Sequence, residues 1–415
     1  MPKEHYIASL DIGTHSVRVV QAKVSPEGEL SVIGASSVVA SGMRRGTIVD
    51  IEEVVSTISA AVEKAERMTG VPVTHVNVSV GGNHIVCMDS KGVIAVSRAD
   101  GEISEHDVVR VIDASQAISI PPNREVIHVI PKTFTLDGQT GIKDPIGMSG
   151  IRLEVETVII HGAAPFLKNL QKAIAQAGLE VDQLVLAPLA ASQAVLTKRQ
   201  KDLGVALVDL GAGTTSLAVY EESNLLHTAV IPVGAMHVTN DIAIGLRCGI
   251  ETAERVKLLV GQASHMPSHQ DTTIDLSELH PDEHERVSQK MVTEIIEPRL
   301  EEIFDLVQKE LRAINRDGKL PAGVVLTGGG AQLPGIVEMA KHRLRLPVHV
   351  GTPQEATTII DQVASPVFAT AVGLILWGSK FGTSHSSGGF GKAFSGLASN
   401  QTMLQLKRWF NSFLP

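Results

Sequence analysis

Asp11-Ile12-Gly13-Thr14-His15-Ser16, near the start of the chain, and Asp209-Leu210-Gly211-Ala212-Gly213-Thr214-Thr215, near its middle, decide the fold. Each stretch lies between two apolar runs, residues 7–11 and 17–24 in the first case and 204–209 and 215–220 in the second. That pattern predicts a tight turn between two strands. A third apolar run follows in both places, at 30–36 and 225–231, so the chain carries one supersecondary unit twice.

The turns suggest a chemistry. An Asp-X-Gly-X-X-Ser/Thr turn presents backbone N–H groups with no bulky side chain in the way, a nest suited to phosphate oxygens, and a hydroxyl adds a donor. Asp11 and Asp209 cannot bind phosphate directly, because both partners are anionic. Their natural task is to hold Mg²⁺ through water, the ion then bridging β- and γ-phosphates. Two such turns facing each other would clamp a triphosphate from both sides. Further on, Thr327-Gly328-Gly329-Gly330 follows a predicted strand at 324–326, and its bare backbone could lie flat against a purine and ribose. One turn alone reads as a plain hairpin; two in corresponding positions, with the triple glycine, point to a nucleotide.

Composition removes several other classes. The chain has 415 residues, long enough for two or three domains, and 36 basic against 45 acidic side chains, a formal charge of −9. Mild acidity argues against a dedicated nucleic-acid binder. Two cysteines, Cys87 and Cys248, cannot make a disulfide framework or a four-thiolate zinc site, so a reducing compartment fits and both read as core residues. His265, His269, His280 and His284 lack the compact spacing of metal ligands. The start shows no signal-peptide core. The most apolar run, 364–378, is short and interrupted by Ser365, Pro366 and Thr370, so a buried helix in a cytosolic body is expected.

Helices are predicted at 51–68, 105–118, 164–177, 188–197, 235–246, 252–261 and 285–314, the last perturbed at Pro298. Residues 75–80 alternate strictly and read as a strand with one buried face. Between 81 and 160 the texture changes to short strands around one helix, an inserted α+β unit.

The three glycine-bearing stretches, Asp11-Ile-Gly-Thr, Val208-Asp-Leu-Gly-Ala-Gly-Thr-Thr and Leu326-Thr-Gly-Gly-Gly-Ala, together resemble the two phosphate loops and the adenosine loop of the actin-like ATPase superfamily. The resemblance implies a two-lobed α/β fold that binds ATP with Mg²⁺. It assigns Asp11, Gly13, Thr14 and His15 to the first phosphate loop, and Asp209, Gly211, Gly213, Thr214 and Thr215 to the second. Gly328, Gly329 and Gly330 fall on the adenosine loop. Glu254-Arg255-Val256-Lys257 is similar to the helix whose Glu and Lys, three apart on one face, reach the ribose and base.

Actin and the cell-shape protein MreB insert a subdomain between the third strand and the first helix. Here residues 36 to 51 leave room only for a short connection, and the insertion comes after residue 80. That displacement resembles the 1C, or SHS2-type, subdomain of the FtsA family of bacterial cell-division proteins. Gly42-Met43-Arg44-Arg45-Gly46 with Ile48-Val49-Asp50, Asn77-Val78-Ser79-Val80-Gly81-Gly82, the His227–Pro232 stretch and Ile296-Glu297-Pro298-Arg299 match that family as well. The resemblance implies subdomain 1A at 1–81 and 163–200, 1C at 82–162, 2A at 201–237 and 318–380, and 2B at 238–317. It implies an ATP-binding protein that self-associates into filaments, anchors the FtsZ ring to the cytoplasmic face of the inner membrane at the division site, and recruits later division proteins. The FtsZ C-terminal peptide would be received by 2B, with Arg299 as candidate contact. In related ATPases an acid precedes the connecting helix near the attacking water. Here that position is Ala187, which can neither orient nor deprotonate water, so weak or absent hydrolysis is expected and no catalytic residue is assigned.

The end of the chain differs in kind. Six of its thirteen aromatics, Phe381, Phe390, Phe394, Trp409, Phe410 and Phe413, fall in the last 35 residues, which carry three cations and no acid. Residues 381–400 have the Gly/Ser composition of a flexible linker. At about 100° per residue, 401–415 places Met403, Leu406, Trp409, Phe410 and Phe413 on one side with Lys407 at the border, the pattern of an interfacial helix on anionic lipids. Two alternatives share the superfamily. A pilus assembly protein of the PilM type would lack this tail. A slow ATPase of the chaperone or sugar-kinase type would need a carboxylate near Ala187 or a further peptide-binding domain.

Overall fold

A computed structural model of the chain describes residues 5–381 apart from 26–27, 98–99, 118–119, 265–271, 282, 355–356 and 359. His265, His269, Phe390 and Phe394, and the membrane face of Met403, Leu406, Lys407, Trp409, Phe410 and Phe413, lie outside the described residues.

The first lobe opens with a meander of β1 (His5–Ile12), β2 (Ser16–Val24) and β3 (Leu30–Val39). A small hairpin, β4 (Met43–Arg44) and β5 (Thr47–Ile48), leads to α1 (Ile51–Thr69) and β6 (His75–Val80). Helix α1 starts where the Asp50 carboxylate accepts the Glu53 N–H, and it stops at Gly70, whose φ of 70° a side chain would disfavour. Its Val54, Ile58, Ala61, Val62 and Ala65 recur at helical spacing and are buried against the sheet.

The insertion comprises β7 (Val86–Ala95), α2 (Glu105–Ser115), β8 (Arg124–Leu136), β9 (Gln139–Ile142) and β10 (Arg152–Ala163). The strands form an antiparallel sheet in the order β7-β10-β8-β9, with three of them 10 to 13 residues long rather than short. Helix α2 ends at Ser115 rather than 118 and lies close on β7, where a side chain at Gly92 would stand 2.1 Å from the Val111 carbonyl oxygen.

The chain returns through α3 (Ala164–Gln176), β11 (Glu180–Leu186), α4 (Ala187–Val195) and α5 (Lys198–Leu203). It then repeats the meander as β12 (Val205–Leu210), β13 (Thr215–Glu221) and β14 (Asn224–Ile231). Helices α6 (Ala235–Leu246) and α7 (Ile250–Val260), the hairpin β15 (Thr273–Asp275) and β16 (Arg286–Ser288), and α8 (Gln289–Ala313) follow. Finally come β17 (Val324–Thr327), α9 (Ile336–Leu344), β18 (Val348–Val350), β19 (Thr357–Thr358) and α10 (Ala369–Phe381). The long helix begins four residues later than its periodicity suggests because 286–288 pairs with 273–275 instead, and Pro298 sits inside it without ending it.

The duplication holds in three dimensions. In the first sheet the strands run β19-β3-β2-β1-β6-β11, and in the second β14-β13-β12-β17-β18, so the two orders correspond apart from the edge strand β19. Both meanders are antiparallel, and both following strands join parallel. Helices α4 and α10 lie between the sheets, and one apolar core takes in Ile7 and Val20 from the first sheet, Leu207 and Ala218 from the second, and both helices. Helix α10 is buried nearly all round, which explains an apolar run without helical periodicity. The two helices meet at Gly373, where a Cβ would fall 1.9 Å from the Ala190 carbonyl oxygen.

Alanine at 373 would gain roughly 1 kcal/mol of helix propensity, but overpacking of that depth costs more. Gly373→Ala is expected to destabilise the protein by about 2 kcal/mol net, seen as a lower urea midpoint with an unchanged slope.

Candidate nucleotide site between the lobes

The two turns close in the same way. Gly13 N–H donates to the Ser16 carbonyl at 3.1 Å, and Gly211 N–H to the Thr214 carbonyl at 3.0 Å. Asp11 and Asp209 each stand one residue before the end of the strand that feeds the turn. Because the meanders share their topology, the turns project toward each other, and they meet: a Cβ at Gly213 would lie 2.5 Å from Thr14 Oγ1.

The carboxylates are held differently. Asp11 Oδ1 accepts the Ser79 hydroxyl at 2.7 Å, from the end of the parallel strand β6, and its Oδ2 lies 3.4 Å from Arg18 Nη1. Among the described residues the Asp209 carboxylate accepts only a 3.5 Å contact from the Thr370 hydroxyl, while Gly328 presses on its other oxygen, where a Cβ would fall 2.2 Å away. Burial first, and the neighbouring Asp11 charge second, push the Asp209 carboxyl up to about 6; Arg18 and Thr370 oppose the shift. Nearby, Ser16 Oγ and Arg18 Nε are buried without a hydrogen-bond partner. Two facing carboxylates, one of them poorly paired, and unsatisfied donors beside them suit a hydrated hard cation next to an anion.

The second turn is braced from below. Ala235 and Met236, opening α6, donate N–H groups to the carbonyls of Gly211 and Ala212 at 2.9 and 2.8 Å. Thr215 points away from the turn and gives its hydroxyl to the Val233 carbonyl at 2.8 Å, so its role is in the strand rather than at the mouth. Of the triple glycine, Gly328 and Gly330 are required by packing against Asp209 and Leu210. Gly329 alone has open space beside it, with Val367 3.7 Å from where a Cβ would stand.

Glu254 and Lys257 do form a unit. Lys257 Nζ lies 2.6 Å from Glu254 Oε2, and both bond the Thr239 hydroxyl, at 2.8 and 2.6 Å. Burial raises the Glu254 carboxyl, but hydrogen bonds from Lys257 and Thr239 and the charges of Lys257 and His15 outweigh it and leave it below its ordinary value. Arg299 is engaged as well: Nε and Nη2 bond Asp241 at 2.6 and 3.0 Å and Nη1 bonds Glu302, tying α8 to α6 beside the exposed Ile244. Ala187 opens α4 with no carboxylate in its place.

Sequence reasoning missed Arg18, Ser79 and Thr370. Arg18 was findable, since it shares a strand face with Ser16 at the two-residue period. Thr370 carried no signal, lying 161 positions from Asp209. Among the described residues no group of three His, Cys, Asp or Glu could hold a metal unaided, and no helix is long and apolar enough to cross a membrane. Burial raises the Cys87 thiol to about 11, so it stays protonated.

Comparison with known proteins adds the family. A family model described as "Cell division protein FtsA" matches residues 206–373, and one described as "SHS2 domain inserted in FTSA" matches 82–161. Cell division protein FtsA of Pseudomonas aeruginosa is 36% identical over 97% of this chain and 97% of its own length. The chain belongs to the FtsA family. FtsA of Bacillus subtilis is 40% identical over 90% of the chain and 84% of its own, and that of Escherichia coli 34% over 92% and 91%. Among solved structures, a chain of a PilM–PilN type IV pilus biogenesis complex superposes with a TM-score of 0.67 at 16% identity, covering 90% of this chain and 98% of that one. MreB5 of Spiroplasma citri bound to ADP gives 0.55 at 14%, covering 90% and 96%. These likenesses show an actin-like ATPase fold, carrying in this member of the FtsA family the SHS2 insertion.

The Asp209 shift has a measurable sign. An acid raised in the folded state weakens folding as pH rises from its unfolded value, 3.8, through about 6. Asp209→Asn is therefore expected to stabilise the ligand-free protein above pH 6, by up to about 3 kcal/mol, and to leave it unchanged near pH 4. Melting curves of both proteins across that range check this.

Proposed function

We propose that this FtsA-family protein binds ATP with Mg²⁺ between its lobes, assembles into filaments, and anchors the FtsZ ring to the inner face of the cytoplasmic membrane as a peripheral protein. The facing of Asp11 and Asp209, with Gly328 against the second, carries the nucleotide reading. Asp11 and Asp209 would hold the ion through water, and the ion would supply charge neutralisation between the phosphates. The first turn (Gly13, Thr14, His15) and the second (Gly211, Gly213, Thr214) would receive the phosphates, with Arg18 and Ser16 as further donors. Lys257 and Glu254 would meet the ribose and base, and the open side of Gly329 would face them. With alanine at 187 no side chain there can activate water, so bound ATP tunes assembly rather than driving rapid turnover.

The FtsZ C-terminal peptide would dock on the α6–α8 platform, where exposed Ile244 supplies apolar surface and Arg299 shares its guanidinium between Asp241, Glu302 and the peptide's acids. The tail helix, bearing Trp409, Phe410, Phe413, Leu406, Met403 and Lys407, would enter the interface of an anionic bilayer. Filaments would multiply the weak affinity of each helix.

Liposome co-sedimentation with ATP and purified FtsZ tests the whole reading. Full-length protein is expected to bring FtsZ down with anionic vesicles, and a chain ending at Lys380 to leave it in the supernatant. Equal recruitment by both would refute membrane anchoring by the tail. Phosphate release should stay below about one per minute, well under the roughly 1 to 1,000 per second typical of enzymes; many turnovers per minute, abolished by Asp209→Ala, would overturn the non-hydrolysing assignment.

A further inference from the structure

The short connection between β3 and α1 occupies a position that its length does not suggest. Its hairpin tip, Arg44-Arg45-Gly46-Thr47, touches three parts of the molecule at once. Gly46 N–H donates to Thr14 Oγ1 of the first turn at 2.9 Å. The backbone of Arg45 abuts the second turn: a Cβ at Gly213 would fall 2.9 Å from Arg45 Cα. Gly46 also rests on Gly82, where the chain leaves the first lobe for the insertion; a Cβ on Gly46 would lie 2.9 Å from Gly82 Cα, and one on Gly82 2.8 Å from the Gly46 carbonyl oxygen. The connection is cinched at its base, where Val49 and Asp50 N–H both reach the Gly42 carbonyl at 2.8 and 3.1 Å.

Two features turn this strap into a ligand contact. Arg45 adopts a φ of 50°, a conformation that residues other than Gly, Asn and Asp rarely take, so the backbone there is shaped by its surroundings rather than by local preference. Arg44 and Arg45 are both exposed, and neither guanidinium has a hydrogen-bond or ion-pair partner among the described residues. The backbone that carries Arg45 stands where the two anion-receptive turns meet, with Arg44 next to it, and two unengaged guanidinium forks on that backbone, in a protein of net negative charge, suit the distal phosphate of a bound nucleotide.

We propose that the 42–48 hairpin is a strap that reads the terminal phosphate of a nucleoside triphosphate through Arg45, assisted by Arg44, and so distinguishes triphosphate from diphosphate. This rests on the nucleotide reading above.

Calorimetric titration of full-length protein with Mg-ATP, with Mg-ADP, and with Mg-ADP in excess inorganic phosphate tests it. The variants are Arg45→Asn, which tolerates the left-handed backbone, and Arg44→Ala/Arg45→Asn, with melting temperatures confirming that both fold. ATP affinity is expected to fall at least about tenfold in the double variant, the value of one charge-assisted hydrogen bond, while ADP affinity stays within about twofold. Equal losses for ATP and ADP, or no loss, overturn the strap while leaving the nucleotide site standing. A gain in wild-type ADP affinity from phosphate that the double variant lacks would show the arginines holding a phosphate beside the diphosphate and support the strap. Wild-type protein that binds neither nucleotide removes the site reading, and the strap with it.

Discussion

The two lobes are one body because α4 and α10 approach to backbone contact between the sheets. That approach is possible only because residue 373 has no side chain to set against Ala190. The core built on this crossing is continuous from Ile7 in the first sheet to Ala218 in the second, so neither sheet can shift without opening it. The same core fixes the relation of the two meanders, and through it the distance between two turns almost two hundred residues apart in sequence. Even the insertion is tied in: His128, on β8, accepts the Leu186 N–H at 3.1 Å just before α4 begins, and burial holds its imidazole down to about 4, neutral and able to accept.

What this rigidity maintains is an electrostatic conflict. Asp11 and Asp209 are brought together in a buried place where like charges repel, with one arginine beside them. A structure selected for stability alone would have an apolar or neutral residue in one of the two positions. The cost is concentrated on Asp209, which lacks the strong hydrogen bond that Ser79 gives to Asp11. Under the proposed function a divalent cation would relieve this conflict, so that ligand binding would stabilise the folded protein.

The residues of the candidate site were legible in the sequence where they repeat or cluster locally. The paired Asp-X-Gly turns, the triple glycine and the Glu254–Lys257 pair each declare themselves within a few positions, because backbone nests and helix faces are local objects. The insertion was legible as a change of texture, though its strands proved long. Thr215 was not legible in the same way, because hydroxyl type does not reveal direction: in the strand it turns to the Val233 carbonyl. Pro298 is expected from sequence to perturb α8, yet packing of the flanking Leu300, Ile303 and Phe304 keeps the helix whole.

By itself the sequence determined the repeated unit, the displaced insertion and hence the family, since strand periodicity and turn composition are encoded residue by residue. Only the tertiary structure decided which groups share a site. Ser79, Thr370 and the Arg45–Gly46 strap come from segments far apart in the chain, and what joins them is the register of parallel strands and the crossing of two helices. Those are properties of packed surfaces, which no short stretch of sequence contains.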